Sequence, residues 1–272
     1  MRLLLYTAIV AGTALASGLC ALARDAGINP KAMEAFEART YKDDKAGGTL
    51  PYRLLVPKGY DPKDEKKHYP LILFLHGAGE RGTDNAAQLK WGGALLAGDV
   101  QKKEPCFVVA PQCPPDKQWV NTPWAKGSYS LDKVPISDEL RMALAAVDQV
   151  QKEFHVDPDR VYVMGLSMGG FGTWDAIMRE PNRFAAAVPI CGGGDPSKAE
   201  GIKDVPVWAF HGGADNVVPT QASRDMVAAL KKAGGHPKYT EFPGVGHGSW
   251  TNAWNEPDLL DWLFAQKRGG SK

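Results

Sequence analysis

Long runs of one charge are missing from this chain. Its 32 Lys and Arg are matched by 31 Asp and Glu, and the densest basic clusters are the pairs Lys66-Lys67 and Lys102-Lys103. Proteins that bind nucleic acid or an anionic membrane surface carry a basic patch or stripe, so neither partner is expected. The signatures of bound metal and nucleotide are missing as well. There is no HExxH, CxxC or Walker pattern, and the six histidines are scattered without ligand spacing. The sequence therefore calls for no metal and no cofactor. Internal repeats and low-complexity segments are also lacking, which argues against a solenoid.

Cysteine is scarce, with four in all, and one of them lies in an N-terminal stretch unlike the rest. Arg2 is followed by the uncharged LLLYTAIVAGTALASGL and then by Cys20 and Ala21-Leu22-Ala23. A positive start, an apolar centre and an A-x-A site make a secretory signal, with cleavage expected after Ala23. A lipoprotein anchor on Cys20 is disfavoured by the bulky Leu19 before it. Cleavage leaves a neutral chain for a secreted or periplasmic location, without stable membrane insertion. It also leaves Cys106, Cys113 and Cys191, enough for one internal disulfide. Cys106 and Cys113 flank the strand-like FVVAPQ, where an extended chain holds them too far apart to bond. Cys113 with Cys191 is the better pair, and three buried thiols are the alternative.

What is present is alternation. Apolar runs at 71–75, 107–110, 161–164, 185–190 and 207–210 are continuous enough to be strands buried on both faces. YRLLVPKGY at 52–60 reads as a more exposed strand near the sheet edge, and KYTEF as a further strand. Between them lie amphipathic stretches. Ser137 can cap SDELRMALAAVDQVQKEF, and Thr220 can cap QASRDMVAALKKAGG, with EPDLLDWLFAQKR making a final helix. The pattern predicts an α/β fold, a doubly wound and mostly parallel sheet with helices on both faces, in a single domain. The organisation is then 1–23 signal peptide, 24–48 N-terminal segment and 49–268 catalytic domain. Residues 113–137 follow neither period and begin where a strand ends, so they are expected to be a binding loop or lid over the ligand edge.

Gly165-Leu166-Ser167-Met168-Gly169 matches G-x-S-x-G, with a strand before it and a helix after it. A sharp strand-to-helix turn presses its neighbours together, which explains the glycines, and presents the hydroxyl; this setting favours a nucleophile over an ordinary helix cap. Such a serine needs a base oriented by a carboxylate, and on this fold the order is Ser, then Asp or Glu, then His. His247, in the Gly-rich PGVGHGSW after KYTEF, is the expected base; His236 sits in a turn at the opposite edge, and His211 ends a strand with little loop to reach across. Asp215, first carboxylate of HGGADNVVP, is the expected acid, with Asp195 as runner-up better explained as a helix cap. Oxyanion donors are expected from the backbone N–H groups of Met168 and of Ala78 in LHGAGERGTDN, where His76 would orient the loop.

Together LILFLHGAGERGTDN, APQCP, GLSMGGFGTWDAI, PICGGGD, HGGADNVVP and GHGSW resemble the serine α/β-hydrolases. More narrowly they are similar to the predicted peptidases and phospholipase/carboxylesterase-like enzymes, which border the feruloyl esterases and polyhydroxybutyrate depolymerases. The resemblance implies the α/β-hydrolase fold, with Ser167 as nucleophile, Asp215 as acid, His247 as base, and Ala78 and Met168 as oxyanion donors. The peptidase name in that group rests on likeness to prolyl oligopeptidases, whose β-propeller has no counterpart here, so ester cleavage through an acyl-enzyme is expected ahead of amide cleavage. An acyltransferase on the same fold and an inactive carbohydrate-binding module remain the alternatives.

Trp91, Trp119, Trp124, Trp250 and Trp254 fall near loops at the catalytic edge, where indoles can stack on a planar or sugar ring. Trp119 and Trp124 are expected as a pocket wall and Trp250 as a further substrate contact, with local packing the alternative for two or three of these indoles. Glu80 and Arg81 either bind a polar or carboxylate group of the substrate or pair with each other. The expected substrate is a small-molecule or polysaccharide-linked ester, short-chain or feruloyl and acyl-sugar in kind.

Overall fold

The computed structural model describes residues 27–269, so the expected signal segment lies outside the described residues. Eight strands form one sheet in the order β1-β2-β4-β3-β5-β6-β7-β8. They are β1 Glu37–Lys42, β2 Thr49–Leu55, β3 Tyr69–Leu75, β4 Phe107–Pro111, β5 Val156–Leu166, β6 Ala186–Ile190, β7 Trp208–Gly212 and β8 Lys238–Phe242. The first two pairings in that order are antiparallel and the rest are parallel. Every residue of β3, β4 and β6 is buried, as the unbroken apolar runs require of strands covered on both faces.

Side chains alternate across the sheet and build two cores. Leu71, Leu73 and Leu75 join Leu140, Val147, Phe171, Trp174 and Met226 on one face, while Ile72 and Phe74 join Met33, Leu96, Leu259 and Leu263 on the other. Apart from Leu96, in the turn Leu96–Val100, the helical residues among these come from α1 Pro30–Glu34, α2 Asp138–Glu153, α3 Met168–Arg179, α4 Gln221–Lys232 and α6 Leu259–Ala265, and α5 Trp250–Trp254 adds Ala253. Helix α2 begins as its sequence dictates. The Ser137 hydroxyl accepts the Leu140 N–H at 3.1 Å, and Asp138 and Glu139 occupy the first turn, where the helix dipole favours negative charge.

Several expectations are corrected. Thr220 does not cap α4; its hydroxyl donates to the Gly212 carbonyl at 2.8 Å and ties the helix start to the end of β7. Strand β2 is not exposed: Tyr52 and Leu54 are fully buried in the core that α2 covers, and β1 from the segment before residue 49 pairs with its outer edge. No disulfide joins Cys113 to Cys191, since all three described cysteines are free and buried. No helix among the described residues is long and apolar enough to cross a membrane.

The loop at 113–137 contains one short helical turn, Trp124–Lys126, and is stitched down along its length. Trp119 Nε1 donates to the His76 carbonyl at 3.0 Å, Tyr129 Oη to Asp175 at 2.6 Å, and the Leu131 N–H to Asp195 at 2.7 Å. Arg179 reaches the Val134 carbonyl at 2.6 Å. With bonds to α3 and to the turn after β6, the segment is a fixed wall at the carboxyl end of the sheet.

Candidate active site

The turn between β5 and α3 carries Ser167 at φ 54° and ψ −117°, a left-handed conformation that a serine adopts only under constraint. The constraint is crowding. A Cβ at Gly169 would run into the Leu75 carbonyl oxygen, and one at Gly165 would meet the same oxygen at 2.8 Å. Only glycine lets α3 start this close to the end of β3. The Ser167 N–H is anchored on the Ile190 carbonyl at 2.9 Å, which leaves the side chain facing the carboxyl edge.

His247, on the loop after β8, lies 2.8 Å from Ser167 Oγ through Nε2 and 2.7 Å from Asp215 Oδ2 through Nδ1. Asp215 sits on the loop after β7 with its side chain fully buried. Burial pushes its carboxyl up, but hydrogen bonds from His211, His247 and the Val217 and Val218 amides outweigh that and hold it well below the usual carboxylate range. Asp215 is therefore an anion that accepts the Nδ1–H of His247, and Nε2 is left to accept the serine proton. The three residues singled out by motif and chain order form one hydrogen-bonded series.

Above the serine runs the loop after β3. A Cβ at Gly77 would stand 3.5 Å from Ser167 Cβ, so the Ala78 amide follows directly on the point of closest approach, across from the start of α3 at Met168. His76 fixes this loop. The Cys113 N–H donates to its Nε2 at 2.9 Å, so Nδ1 carries the hydrogen and donates to the Gly77 carbonyl at 2.6 Å. Burial lowers the pKa of this imidazole from 6.5 to about 4, and it is neutral at ordinary pH.

The aromatic residues separate into two groups. Trp119 is fully buried beneath His76, with the ring centroids 5.3 Å apart, so it anchors the wall segment and does not line a pocket. Trp250 stands perpendicular to the His247 ring at 5.5 Å, and Trp91 packs on Trp250 at 5.7 Å while remaining 40% exposed. Trp254 serves this pair by donating Nε1 to the Trp91 carbonyl at 3.0 Å. Glu80 and Arg81 do not pair with each other. The buried Glu80 carboxyl, pushed up by burial, accepts the Trp91 indole N–H at 2.9 Å. Arg81 donates Nε to the Ala78 carbonyl at 2.9 Å and lies 5.9 Å from the Trp124 ring centre.

Asp195 caps the turn Pro196–Ile202 through the Ser197 N–H at 3.0 Å, and His236 is exposed in its turn. Cys191, Asp215 and His247 present ligand atoms within 4.8 Å of one another, the one metal-like grouping among the described residues. Asp215 and His247 spend their facing atoms on each other, and burial pushes the Cys191 thiol far up, so the donor set suits a hydrogen-bonded series better than a cation. The sequence reading set His211 aside as a base and gave it no other role. Its Nε2 lies 3.2 Å from Asp215 Oδ2, the same oxygen that His247 meets, and the four-residue spacing in HGGAD, across a tight turn, was the available signal.

Comparison with known proteins agrees with this architecture. The model of the Dienelactone hydrolase family matches residues 126–256. A probable carboxylesterase of Oryza sativa subsp. japonica is 29% identical over 198 residues, covering 66% of this chain and 81% of that protein. A solved thermostable esterase superposes with a TM-score of 0.78 at 43% identity, over 86% of this chain and 64% of its own. The feruloyl esterase module of Clostridium thermocellum, solved with sinapinate, gives a TM-score of 0.60 at 17% identity over 88% of this chain and 92% of its own, a likeness of fold.

Proposed function

Given that the chain is an α/β-hydrolase whose relatives mark it as a carboxylic ester hydrolase, we propose that it cleaves its ester through an acyl-enzyme on Ser167, with His247 as base and Asp215 as acid. The observation that carries this reading is the continuous series from Ser167 Oγ to His247 at 2.8 Å and on to Asp215 at 2.7 Å, on a serine held at positive φ. Ser167 Oγ attacks the carbonyl carbon while its proton passes to His247 Nε2. The oxyanion that forms takes the N–H groups of Met168 and Ala78. His247 then returns its proton to the leaving alcohol, and a water deprotonated by the same Nε2 releases the acid. Asp215 holds the imidazole in the required tautomer throughout.

For the substrate we favour an ester with a planar or sugar-like group. Support comes from Trp91, exposed at the edge, and Trp250 beside the base, with Trp124 near Arg81, which bonds the Ala78 carbonyl. The leader-like N-terminus supports a secreted or periplasmic location, and the mature protein recovered from that compartment is expected to begin at Arg24.

The test is a panel on the purified mature chain beside Ser167→Ala: short p-nitrophenyl esters, methyl ferulate, acetylated xylan and a peptide amide, each with and without added alcohol. Turnover on the esters, little on the amide, fluorophosphonate labelling of Ser167 and loss of both in the variant are expected. Amide turnover equal to ester turnover would favour a peptidase, and acyl transfer exceeding hydrolysis an acyltransferase. An unlabelled Ser167 would leave only a binding module.

A further inference from the structure

His211, the last residue but one of β7, is fully buried and has no part in the proton path just described. Its ring is nonetheless bonded at both nitrogens. Nε2 lies 3.2 Å from Asp215 Oδ2 and 3.2 Å from the Val218 carbonyl oxygen. Both neighbours are acceptors, so Nε2 carries a hydrogen. Nδ1 lies 2.7 Å from the hydroxyl oxygen of Ser223 on α4, whose single hydrogen is shared between Nδ1 and the Gly192 carbonyl oxygen 3.0 Å away. The ring is thus clamped between β7, α4 and the turn after β6, with its Nε2–H shared between the Val218 carbonyl and the Asp215 carboxylate.

That N–H completes the set of donors on Asp215. Oδ1 receives the Val217 and Val218 amides at 2.8 and 3.0 Å, and Oδ2 is shared by His247 and His211. Four donors on two oxygens leave the carboxylate no freedom to turn about its Cβ–Cγ bond. We infer that His211 is a positioning residue, which fixes the Asp215 carboxylate so that Oδ2 meets His247 Nδ1 in the orientation needed for proton transfer from Ser167. This rests on the catalytic reading of Ser167, His247 and Asp215. A residue present only to fill space would act through its volume, whereas the geometry makes the Nε2–H the working part.

The test separates the N–H from the volume. Gln places an amide N–H near the position of Nε2, and Leu fills much of the same space without a donor. His211→Leu is expected to lower kcat on a p-nitrophenyl ester by on the order of 10- to 100-fold with KM held within about twofold, the scale of a catalytic group slightly misplaced. The downfield proton resonance of the His247–Asp215 bond should broaden or vanish. His211→Gln should recover both kcat and the resonance. Ser223→Ala, which loosens the ring without emptying the site, carries the same expectation at smaller size and keeps the inference open to refutation should the Leu variant not fold. Equal losses in the Leu and Gln variants, or an intact resonance and unchanged kcat in both Leu and Ser223→Ala, would overturn the inference. Ser167→Ala serves as the reference: activity surviving in it sinks the catalytic reading itself, while an inactive Ser167→Ala beside unaffected His211 variants sinks the positioning role alone.

Discussion

Single side chains decide the chemistry here, and two of them make distinct predictions. Asp215→Asn keeps the size of the acid but removes its charge and presents an amide to His247, inviting the wrong tautomer. A fall in kcat of roughly three to four orders of magnitude is expected, with fluorophosphonate labelling slowed in step. His76 predicts a pH effect on stability. Burial holds its imidazole at about 4 against an ordinary 6.5, so between those values the unfolded chain binds a proton that the folded chain does not. Stability is then full above pH 6.5 and falls as pH drops towards 4, by on the order of 3 kcal/mol. Urea unfolding at pH 7 and pH 5 measures this, and His76→Gln should flatten the slope. Ser167, Asp215 and His247 were legible as candidates because each stands in a short Gly-rich motif whose order along the chain is informative. His211 was not, because a histidine at a strand end looks like core until the turn after it is folded back.

Among the elements, the segment at 113–137 departs furthest from its expectation. Its Pro, Trp and polar residues predicted irregular structure, and one short turn is all the regular structure it has, but the same composition fits a lid and a wall equally well. What distinguishes them is where the polar groups find partners, and those partners lie 43 to 64 residues away on other elements. Tyr129 and Arg179 converge on Asp175, whose carboxyl is pushed up by burial, and Asp195 holds the Leu131 amide. Asp195→Ala is expected to raise hydrogen exchange across 128–136 and to cost about 1–3 kcal/mol, as for a lost hydrogen bond to a charged group. Because Asp195 stands outside the Ser167–His247–Asp215 series, kcat should fall far less than in Asp215→Asn. A variant as inactive as Asp215→Asn would bring back Asp195 as the acid. Thr220 teaches the same lesson in small: its position before a helix suggested a cap, and the nearby Gly212 carbonyl claimed its hydroxyl instead.

For the whole molecule, the sheet was legible wherever strands are buried on both faces, since an unbroken apolar run needs no partner to be recognised. Strand β1 escaped notice because EARTYK has no fully buried residue, and its place is set by pairing with β2. The segment before residue 49 nevertheless contributes Met33 and Phe36 to the second core, and the buried Arg53 bonds the Phe36 carbonyl at 3.1 Å. A chain beginning at residue 49 would expose the edge of β2 and strip two large side chains from the core, each costing roughly 2–5 kcal/mol. It is expected to aggregate or to lose its cooperative thermal transition, whereas a chain beginning at residue 24 keeps it. The three buried cysteines have a use of their own. Cys106 precedes β4, Cys113 follows it, and Cys191 follows β6, and burial pushes each thiol well up, so little reactive thiolate exists in the closed molecule. A maleimide added to the native protein can modify them only as fast as their surroundings breathe. Alkylation rates at the three sites, followed by mass spectrometry, would therefore clock the opening of the fold from three interior vantage points without any engineered label.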